Sequence, residues 1–515
     1  MGILKKKTAW IIIGVIVAII VVGNVGWFVH TQQHSQSSSS NRSGMMGGRS
    51  GSSGHSMMGG NSSGRAQRNS DTDVPLKTAT TAAKRLAVPP ILKPTKKSGD
   101  SVYYTLKAEA GTTTFKPGVK TKTMGYDGSY LGPTIRVRRG QTVHTKVVNQ
   151  LNQRTSLHWH GALVPGKADG GPFEPIAAGK TKQTTFKVDQ QAATLWYHPH
   201  AMGTTASQVY HGLAGFMLVD DQNSQKLNLP KKYGVDDFPL VVQDRTFSKA
   251  GQFDYQADYN ADGTEGNTLL VNGTLNPYIN VTTNQVRLRL LNGSNARTYH
   301  FTLNHGATIR QIATDGGFLN QPVKMNQIDL APGQRAEVVV NTANATSKNV
   351  ALRTNGQRVL QLRLHSKRTG SRTLPVKLNH LTPTKQLNQF GLKHQTISFS
   401  GMGRMVRING RVYNPDRIDL TAKPHTNQIW NLTNNDSMMG GMDHPFHIHG
   451  AQFRILSVNG KRPSAAESGL MDVVNLKPGK KVRVLMSFHD RGIFVYHCHN
   501  LEHEENGMMG QVKVE

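Results

Sequence analysis

The sequence predicts an all-β protein built from several β-sandwich domains. A chain of 515 residues is too long for one compact domain of ordinary size, so roughly two to four domains are expected. Glycine is abundant, with 52 residues, and aromatic residues make up only 7% of the chain, which favours strands and turns over helices. Short alternating apolar and polar runs recur between Gly, Pro, Asn and Asp, and no run shows the sustained helical period of a long helix.

The first 30 residues have the composition of a membrane segment. Three lysines at 5–7 precede an uncharged, mostly aliphatic run over about 8–29, which is long enough to span a bilayer. A cleavable signal usually has a shorter apolar region and a small-x-small site, and no such site follows Trp27. We therefore expect residues 1–30 to be an uncleaved transmembrane anchor, with a cleaved signal as the alternative. The lysines place the rest of the chain outside the cytoplasm, anchored to the cell membrane or, after cleavage, secreted.

Residues 31–74 are predicted to form a disordered tether. Ser, Gly, Asn and Gln dominate this stretch, which cannot bury enough apolar surface to fold. The quartet MMGG occurs at 45–48 and 57–60, with His55 beside the second copy, and again at 438–441. Thioethers are soft ligands suited to Cu(I), so Met45, Met46, Met57 and Met58 could collect copper. A low-complexity spacer is the alternative interpretation.

Three strand-rich blocks follow the tether. They are predicted to be domains at 75–232, 233–370 and 392–515, with a Lys- and Asn-rich linker at 371–391 between the second and the third. Short strands at such intervals are typical of β-sandwiches. Strand candidates in the first two blocks are Thr134–Val137, Val143–Val148, Gln183–Val188, Thr268–Val271, Val286–Leu291 and Ala336–Val340.

The charge of the chain does not by itself indicate nucleic-acid binding. The formal net charge is +30, but Lys and Arg are scattered along the chain and no nucleic-acid-binding motif accompanies them. We therefore expect no nucleic-acid partner. A solvated cationic surface that tolerates anionic lipid or cell-wall polymer is the more economical interpretation.

Four times the chain places two histidines two residues apart. Side chains at positions i and i+2 of a strand share a face, so each pair can present two imidazoles to one point. Two pairs in the first block and two in the third offer eight nitrogen ligands, a number that suits three metal ions sharing a cluster with open positions for oxygen. The pairs are His158 and His160, His198 and His200, His447 and His449, and His497 and His499.

Cys498 is the only cysteine and lies between His497 and His499. A lone cysteine excludes an internal disulfide and leaves an inert thiol, a nucleophile or a metal ligand as its role. On a strand, Cys498 points to the face opposite its two neighbours, so it can serve a different metal. The two sites would then be joined through one peptide step, on the order of 10 Å, which suits rapid electron transfer.

Three further residues accompany Cys498 as candidate ligands. His444 is an odd number of residues from the third histidine pair, so it should point away from the cluster. His503 and Met508 follow Cys498 in steps of five. Two His, one Cys thiolate and a weak axial Met form the ligand set of a blue electron-transfer copper.

The chain resembles the three-domain bacterial multicopper oxidases, the group of laccases, cuprous oxidases and bilirubin oxidases. Four motifs in the family's order and spacing carry the resemblance: HWHG from His158, HPH from His198, HPFHIHG from His444 and HCHNLEHEENGMM from His497. The resemblance covers roughly residues 100–515, including YLGPTIRVRRG at Tyr130–Gly140. It implies three cupredoxin-like Greek-key β-sandwich domains, with a three-copper cluster between the first and the third.

The resemblance also implies four copper ions as cofactors, and no ligand position of the family pattern is missing. The implied ligands of the type 2 copper are His158 and His447. Those of the type 3 copper pair are His160, His198, His200, His449, His497 and His499. Those of the type 1 copper are His444, Cys498, His503 and Met508.

Two acids are similar to the family's proton-supplying residues. Reduction of O2 requires protons in a dry site, so carboxylates near the cluster are expected. Asp169 lies eleven residues after His158, and Glu504 directly follows His503. The alternatives are a turn residue in a Gly-rich loop for Asp169 and a solvated charge for Glu504.

Three functions remain open at this stage. A laccase-type oxidase would take electrons from phenols and aromatic amines and pass them to O2, with bilirubin oxidation as a variant. A cuprous oxidase would serve copper homeostasis, and Met438, Met439 and Met442 favour it, whereas Met402 and Met405 could face copper or merely pack. A catalytically silent structural or division protein predicts lost ligands, and none is lost.

The ligand Met508 and the domain plan give two further expectations. An axial thioether lowers the potential of a blue copper relative to a non-coordinating Leu or Phe, so easily oxidised donors are expected. The catalytic body is expected to be monomeric.

Overall fold

Strands make up most of the regular structure in the computed structural model, which describes residues 74–371, 373–435 and 441–515. The predicted membrane anchor and the tether up to residue 73 lie outside the described residues, as do Met438 and Met439. No helix in the described ranges combines the length and the apolar character that a membrane crossing needs.

The strands of the first block run from residue 84 to residue 220. They are β1 (Lys84–Arg85), β2 (Lys96–Ser98), β3 (Ser101–Thr113), β4 (Thr121–Tyr126), β5 (Ile135–Arg138), β6 (Thr142–Asn149), β7 (His158–His160), β8 (Thr181–Lys187), β9 (Ala193–His198) and β10 (Gly215–Asp220). One sheet has the order β2-β3-β6-β8, with β4 beside β3, and the other has the order β5-β10-β9-β7.

The strands of the second block run from residue 237 to residue 369. They are β11 (Asp237–Arg245), β12 (Thr268–Val271), β13 (Pro277–Thr283), β14 (Gln285–Asn292), β15 (Tyr299–Leu303), β16 (Thr308–Thr314), β17 (Gly317–Met325), β18 (Ile328–Leu330), β19 (Arg335–Asn341), β20 (Asn349–Thr354) and β21 (Gln357–Thr369). The two sheets have the orders β1-β13-β21-β20-β15-β18 and β12-β11-β14-β19-β16-β17.

The strands of the third block run from residue 393 to residue 514. They are β22 (Lys393–Ser400), β23 (Arg407–Ile408), β24 (Leu420–Ala422), β25 (Gln428–Asn434), β26 (His444–Ile448), β27 (Ala451–Val458), β28 (Val473–Leu476), β29 (Lys481–Phe488), β30 (Gly492–Cys498) and β31 (Met509–Val514). The two sheets have the orders β23-β22-β25-β29-β27 and β24-β31-β30-β26-β28.

Each pair of sheets encloses its own apolar core. Alternate residues of a strand face the partner sheet, and the buried aliphatic and aromatic side chains of both sheets meet between them. In the first block, for example, Val143 of β6 and Leu195 of β9 belong to one core although they come from different sheets. The prediction of a strand-built protein is therefore confirmed, and the six strand candidates match observed strands to within one or two residues at each end.

Helices in the described residues are short and lie between strands. They are α1 (Gly166–Asp169), α2 (Thr205–His211), α3 (Gln222–Lys226), α4 (Tyr255–Asp258) and α5 (Leu501–Glu505), with single 3-10 turns at Thr384–Gln386, Gly403–Met405 and Ala465–Glu467. The fold is thus mainly rather than purely β. These helices matter because α1 and α5 carry the two predicted acids.

Two connecting segments lie against the second pair of sheets. β1 pairs in parallel with β13, with Lys84 opposite Pro277, although it precedes the strands of the first block. The predicted linker at 371–391 holds no strand among its described residues, and Leu378 is buried where its N–H donates to the carbonyl oxygen of Asn320 at 2.8 Å. The predicted domain boundaries stay predictions.

Candidate metal centre

Two neighbouring strands of the first block carry the first two histidine pairs. β7 and β9 run antiparallel, with His158 opposite His198 and Trp159 opposite Tyr197. Trp159 and Tyr197 belong to the apolar core of this block, so strand alternation turns the histidines to the opposite face. His200 lies beyond the end of β9, and its backbone N–H donates to Ser156 Oγ at 2.7 Å.

Two neighbouring strands of the third block repeat this arrangement. β26 and β30 run antiparallel, with Phe446 opposite Cys498 and His447 opposite His497. Phe446 and Cys498 face the apolar core of the third block, so His447 and His497 face away from it. The structure thus separates Cys498 from its two histidine neighbours as strand alternation requires.

The histidine faces of the two blocks meet in one buried cluster. The imidazole of His158 stacks on that of His449 with ring centroids 3.7 Å apart, and His160 stacks on His447 at the same distance. All eight side chains are at most 1% exposed. The structure therefore brings together the eight histidines that the four pairs supply.

The ring nitrogens that face the middle of the cluster have no ordinary hydrogen-bond partner. Nε2 of His158 and of His447 is buried without any partner among the described residues, and so are both nitrogens of His499. His200 Nε2 and His497 Nε2 face each other at 3.1 Å. Unpartnered buried polar atoms are costly, so nitrogens that converge in this way fit a bound cation.

Burial favours the neutral form of seven of these imidazoles, which is the form that binds metal. Burial and the charges of neighbouring imidazoles lower the pKa of His499 to about 3. Burial also lowers the pKa of His449, to about 4, against the opposing charge of Asp169. The pKa is lowered in the same direction for His160, His198, His200, His447 and His497. A neutral imidazole has one lone pair free for a metal ion.

Several of the outward nitrogens are held by hydrogen-bond acceptors that fix the orientation of their rings. His158 Nδ1 donates to the carbonyl oxygen of Asp169 at 3.0 Å, and His447 Nδ1 donates to that of Asp472 at 2.9 Å. His198 Nδ1 lies 2.9 Å from the carbonyl oxygen of Pro199. Such partners determine which nitrogen carries the proton and which faces the metal.

Asp169 lies at the end of α1 and is buried against the cluster. Its Oδ2 accepts from His449 Nδ1 at 2.7 Å, while Oδ1 has no hydrogen-bond partner among the described residues. Burial alone would raise the pKa of Asp169, but the charges of His449 and His158 lower it. Gly170 follows in the left-handed conformation, where a Cβ would lie 1.8 Å from the carbonyl oxygen of Leu157. The carboxylate therefore does more than complete a turn.

Asp472 is a second aspartate at the cluster, and the sequence analysis missed it. Its Oδ1 lies 3.1 Å from His160 Nε2, and both its oxygens bind Arg335, at 2.6 and 2.7 Å. Asp472 is far from these partners along the chain, 312 residues from His160, so no spacing pattern links them. Arg335 comes from β19 of the second block, which contributes no histidine to the cluster.

Cys498 forms a separate group of donors with two histidines. Its Sγ lies 3.7 Å from His444 Nδ1 and 3.6 Å from His503 Nδ1, and all three side chains are buried. Burial raises the pKa of the Cys498 thiol, so a metal that binds the thiolate releases a proton. Met508 is also buried, and its carbonyl oxygen accepts from the backbone N–H of Cys498 at 3.1 Å.

The loop between Cys498 and α5 is tied to the second block. Asn500 caps α5 through its Oδ1, and its Nδ2 donates to the carbonyl oxygen of Asp262 at 2.9 Å. Glu502 is buried, and its carboxylate accepts from Tyr255 Oη and Asn295 Nδ2, each at 2.9 Å. Sequence analysis missed these two residues, because their partners lie in α4 and in loops of the second block.

Glu504 turns from the same helix towards the histidine cluster. Its Oε1 lies 3.5 Å from His200 Nδ1, and its Oε2 lies 3.3 Å from His497 Nδ1. Glu504 is only 1% exposed, so its interpretation as a solvated charge is wrong. Burial and the charges of Glu505 and Glu502 raise the pKa of Glu504. The side chain is therefore a buried carboxyl group whose pKa lies well above its usual value.

The two donor groups fit copper. One group offers a thiolate with two imidazoles, a soft set that suits copper, and the other offers eight buried imidazoles with converging nitrogens. Other described histidines lie outside these groups: His211 binds the carbonyl oxygen of Ser207, and His300 binds Asp329. His305 and His489 also lie outside these groups.

The predicted methionines differ in their surroundings. Met402 and Met442 are half-buried, and Met405 is 67% exposed. The carbonyl oxygen of Met442 accepts from Asn434 Nδ2 at 2.6 Å.

Known proteins with this arrangement are multicopper oxidases. Three family models of that description match residues 107–224, 219–373 and 376–515. The multicopper oxidase mco of Staphylococcus aureus is 40% identical over 429 residues, covering 83% of this chain and 92% of the relative. The crystal structure of a laccase from Pediococcus acidilactici is 40% identical with a TM-score of 0.82, covering 86% of this chain and 95% of that chain.

A relative of another description is also similar to this chain. The cell division protein FtsP of Escherichia coli is 34% identical over 465 residues, covering 86% of this chain and 95% of that protein. The matched family models span all three pairs of sheets and every histidine pair of the cluster.

Proposed function

The chain belongs to the multicopper oxidase family, and we propose that it couples one-electron oxidation of phenols and aromatic amines to four-electron reduction of O2 to water. The observation that carries the proposal is the covalent link between the two donor groups. Cys498 belongs to one group, and its neighbours His497 and His499 belong to the other. Such a link suits a protein that collects electrons singly and delivers them together.

We assign four copper ions to the two groups. When bound, copper supplies the redox chemistry, with one-electron uptake at the thiolate site and electron transfer to O2 at the cluster. Type 2 copper is assigned to His158 and His447. The type 3 pair is assigned to His160, His198, His200, His449, His497 and His499. Type 1 copper is assigned to His444, Cys498, His503 and Met508.

The chain offers two connected routes between the two sites. Cys498 is joined through one peptide unit to His497 and through another to His499. The carbonyl oxygen of Cys498 also accepts a hydrogen bond from His497 Nδ1 at 3.0 Å. These connections span on the order of 10 Å, a separation that favours rapid electron transfer.

The two buried acids, Glu504 and Asp169, differ in a way that supports different roles in proton delivery. Each O2 that becomes two waters takes up four electrons and four protons. Burial and nearby carboxylates raise the pKa of Glu504, whereas neighbouring imidazoles lower that of Asp169 despite its burial. Carboxyl groups with pKa values moved apart can act as a proton donor and a fixed negative charge. We therefore propose Glu504 as the donor and Asp169 as the charged acceptor that relays protons towards the cluster.

Phenols and aromatic amines are the first candidate substrates. The similarity to a laccase supports them, and a thioether ligand at Met508 favours easily oxidised donors. The test measures O2 uptake by the copper-loaded full chain with a dimethoxyphenol and with an aromatic diamine. We expect saturable uptake with both. If the copper-loaded chain consumes no O2 with any tested phenol, amine or Cu(I), the proposed oxidase function is wrong.

Oxidation of Cu(I) to Cu(II) is the second candidate, and two methionines near the thiolate site favour it. Met402 precedes the turn Gly403–Met405 and Met405 ends it, and the carbonyl oxygen of Gly403 accepts from Asn506 Nδ2 at 3.4 Å, at the end of α5. Replacing both methionines by Leu should lower O2 uptake with Cu(I) and leave uptake with the phenol unchanged. Equal rates with Cu(I) before and after the change reject the role of these methionines.

The methionines of the tether are tested separately. A truncation that begins at Val74 removes Met45, Met46, Met57 and Met58 but retains the described strands. If the tether collects copper, the truncated chain should need more Cu(I) to reach the same rate of O2 uptake. Identical dependence on Cu(I) concentration identifies the tether as a spacer.

We propose that the folded body is a monomer that acts outside the cytoplasm, held to the membrane by residues 1–30. The apolar run after the three lysines at 5–7 supports this location. Membrane fractionation and protease treatment of intact cells test it. Recovery of the full chain in the cytosol, protected from the protease, refutes the proposed location, and size-exclusion chromatography of the truncated body tests the monomer.

A further inference from the structure

We propose that Asp472 and Arg335 form a positioning pair that makes His160 present Nδ1, rather than Nε2, to the metal cluster. His160 differs from the other fixed rings in this respect. Its Nε2 faces outward to Asp472 at 3.1 Å, and its Nδ1 faces inward to His198 Nε2 at 3.3 Å. By contrast, the outward nitrogen of His158, of His198, of His447, of His449 and of His497 is Nδ1.

Arg335 leaves Asp472 little freedom to move. The two carboxylate oxygens each bind one terminal nitrogen of the guanidinium, at 2.6 and 2.7 Å, which is a bidentate pair. Neither side chain is exposed. With the carboxylate held in this way, Oδ1 lies 3.1 Å from His160 Nε2 and can accept a hydrogen bond from it. The pair therefore fixes both the tautomer and the orientation of the His160 ring.

The guanidinium itself is fixed by backbone groups of two blocks. Arg335 Nε donates to the carbonyl oxygen of Thr194 at 3.0 Å, and its terminal nitrogens donate to those of Gly333 at 3.1 Å and Asp315 at 3.2 Å. The second block provides no ligand to the cluster among the described residues, yet through Arg335 it determines which nitrogen His160 offers.

The residue after His160 is a glycine, which leaves room for the Arg335–Asp472 pair. Gly161 has a φ of 83°, and a Cβ at this position would lie 2.5 Å from both Arg335 and Asp472. Glycine therefore allows β7 to approach the ion pair closely enough for His160 to donate to it. Asp472 also holds a second ring, because its carbonyl oxygen accepts from His447 Nδ1 at 2.9 Å.

The inference rests on the proposed copper cluster and adds a role for residues that do not touch the metal. Arg335 cannot lose its proton and balances the charge of Asp472, so the pair acts through geometry and not as a source of protons. Loss of a partner that orients a metal ligand typically weakens metal binding by about 10- to 100-fold.

The test uses Arg335→Lys, which keeps the charge but removes the fork, and Asp472→Asn, which keeps the shape but removes the carboxylate. Both variants should bind copper at the cluster about 10- to 100-fold more weakly. Their electron paramagnetic resonance spectra should show an altered copper signal from the histidine cluster, and the blue band from Cys498 should persist. In copper-free protein labelled with 15N-histidine, the His160 resonances should move from the Nε2–H form to a mixture of tautomers.

Asp237→Asn is the matched control. Asp237 forms a bidentate buried pair with Arg289, at 2.8 Å on both sides, but touches no ligand of the cluster. If Asp237→Asn changes the copper spectra as much as Asp472→Asn, the effect is general destabilisation and the inference is wrong. Arg335→Lys decides the matter if Asp472→Asn does not fold.

The outcomes separate this inference from the proposed function. A wild-type chain that binds no copper at the histidines refutes the proposed function. A wild-type chain that loads normally, with Arg335→Lys equal to it in copper affinity, spectra and His160 tautomer, refutes only the positioning role.

Discussion

Two aspartates border the histidine cluster from opposite domains and make the same kinds of contact with it. Asp169 accepts from one histidine through its carbonyl oxygen and from another through its carboxylate, and Asp472 does the same. They differ in their counter-charge. Both oxygens of Asp472 are held by Arg335, whereas Asp169 has, among the described residues, no arginine partner and one oxygen without a hydrogen bond.

Contact with a metal ligand therefore does not by itself define the role of an acidic side chain. A carboxylate neutralised by a fixed guanidinium is an orienting group, because it can neither turn nor take up a proton without breaking the pair. A carboxylate with a free oxygen can exchange hydrogen bonds with water or with a protonated neighbour. The same residue type therefore has two functions at one cluster, and its second partner decides between them.

We expect the largest effect when the cation beside Asp472 is removed. Arg335→Met leaves the carboxylate of Asp472 buried without its cation, which costs about 3–5 kcal/mol in the free energy of unfolding. Urea denaturation of the copper-free protein measures this loss. A change below about 1 kcal/mol would mean that Asp472 finds another partner and that the pair does not hold this side of the cluster.

The next largest effect concerns Glu504, the buried acid that faces the cluster from α5. Glu504→Gln retains the shape of the side chain but removes its proton, so O2 reduction should slow by about 100-fold. The blue band should persist because Cys498, His444 and His503 are unchanged. Single-turnover reoxidation of the reduced protein by O2 measures the rate. Equal reoxidation rates for Glu504→Gln and wild type would remove Glu504 from proton delivery.

Asp169→Asn tests whether the carboxylate of Asp169 contributes to O2 reduction. An amide oxygen can still accept from His449, but the negative charge is lost, so we expect O2 reduction to slow by about 10-fold. The blue band should again persist. Reoxidation rates for Asp169→Asn and wild type provide the measurement, and unchanged turnover would exclude Asp169 from proton delivery.

The smallest effect is the stability of that same variant. Asp169 has no ion pair with a described Lys or Arg to lose, and Asn keeps an oxygen acceptor, so the free energy of unfolding should fall by about 1 kcal/mol. Urea denaturation beside Arg335→Met makes the comparison direct. A loss for Asp169→Asn as large as that for Arg335→Met would abolish the distinction between the two aspartates.

The sequence predicted much of the cluster because the relevant information is local. Alternation along β30 is enough to separate Cys498 from His497 and His499, and the strand candidates at 268–271 and 286–291 lie within observed strands. The HxH spacing also predicts which side chains share a face. Such features depend on neighbouring residues, so a single sequence contains them.

The residues that orient the ligands could not be predicted in this way. Asp472 meets Arg335 across 137 residues, and Glu502 meets Tyr255 across 247 residues. These contacts depend on how domains pack against each other, and no periodic pattern records that packing. The pairing of β1 with β13 was missed for the same reason, since it joins the start of the described chain to the second block.

The central claim is that electrons collected at Cys498 reduce O2 fully to water at the histidine cluster. The most direct measurement follows phenol oxidised, O2 consumed and hydrogen peroxide formed by the copper-loaded full chain, beside Cys498→Ser loaded in the same way. The account predicts four phenol molecules oxidised per O2 and no peroxide for the wild type, and loss of phenol-driven O2 uptake for the variant. Two phenols per O2 with peroxide as product, or undiminished uptake by Cys498→Ser, would contradict it.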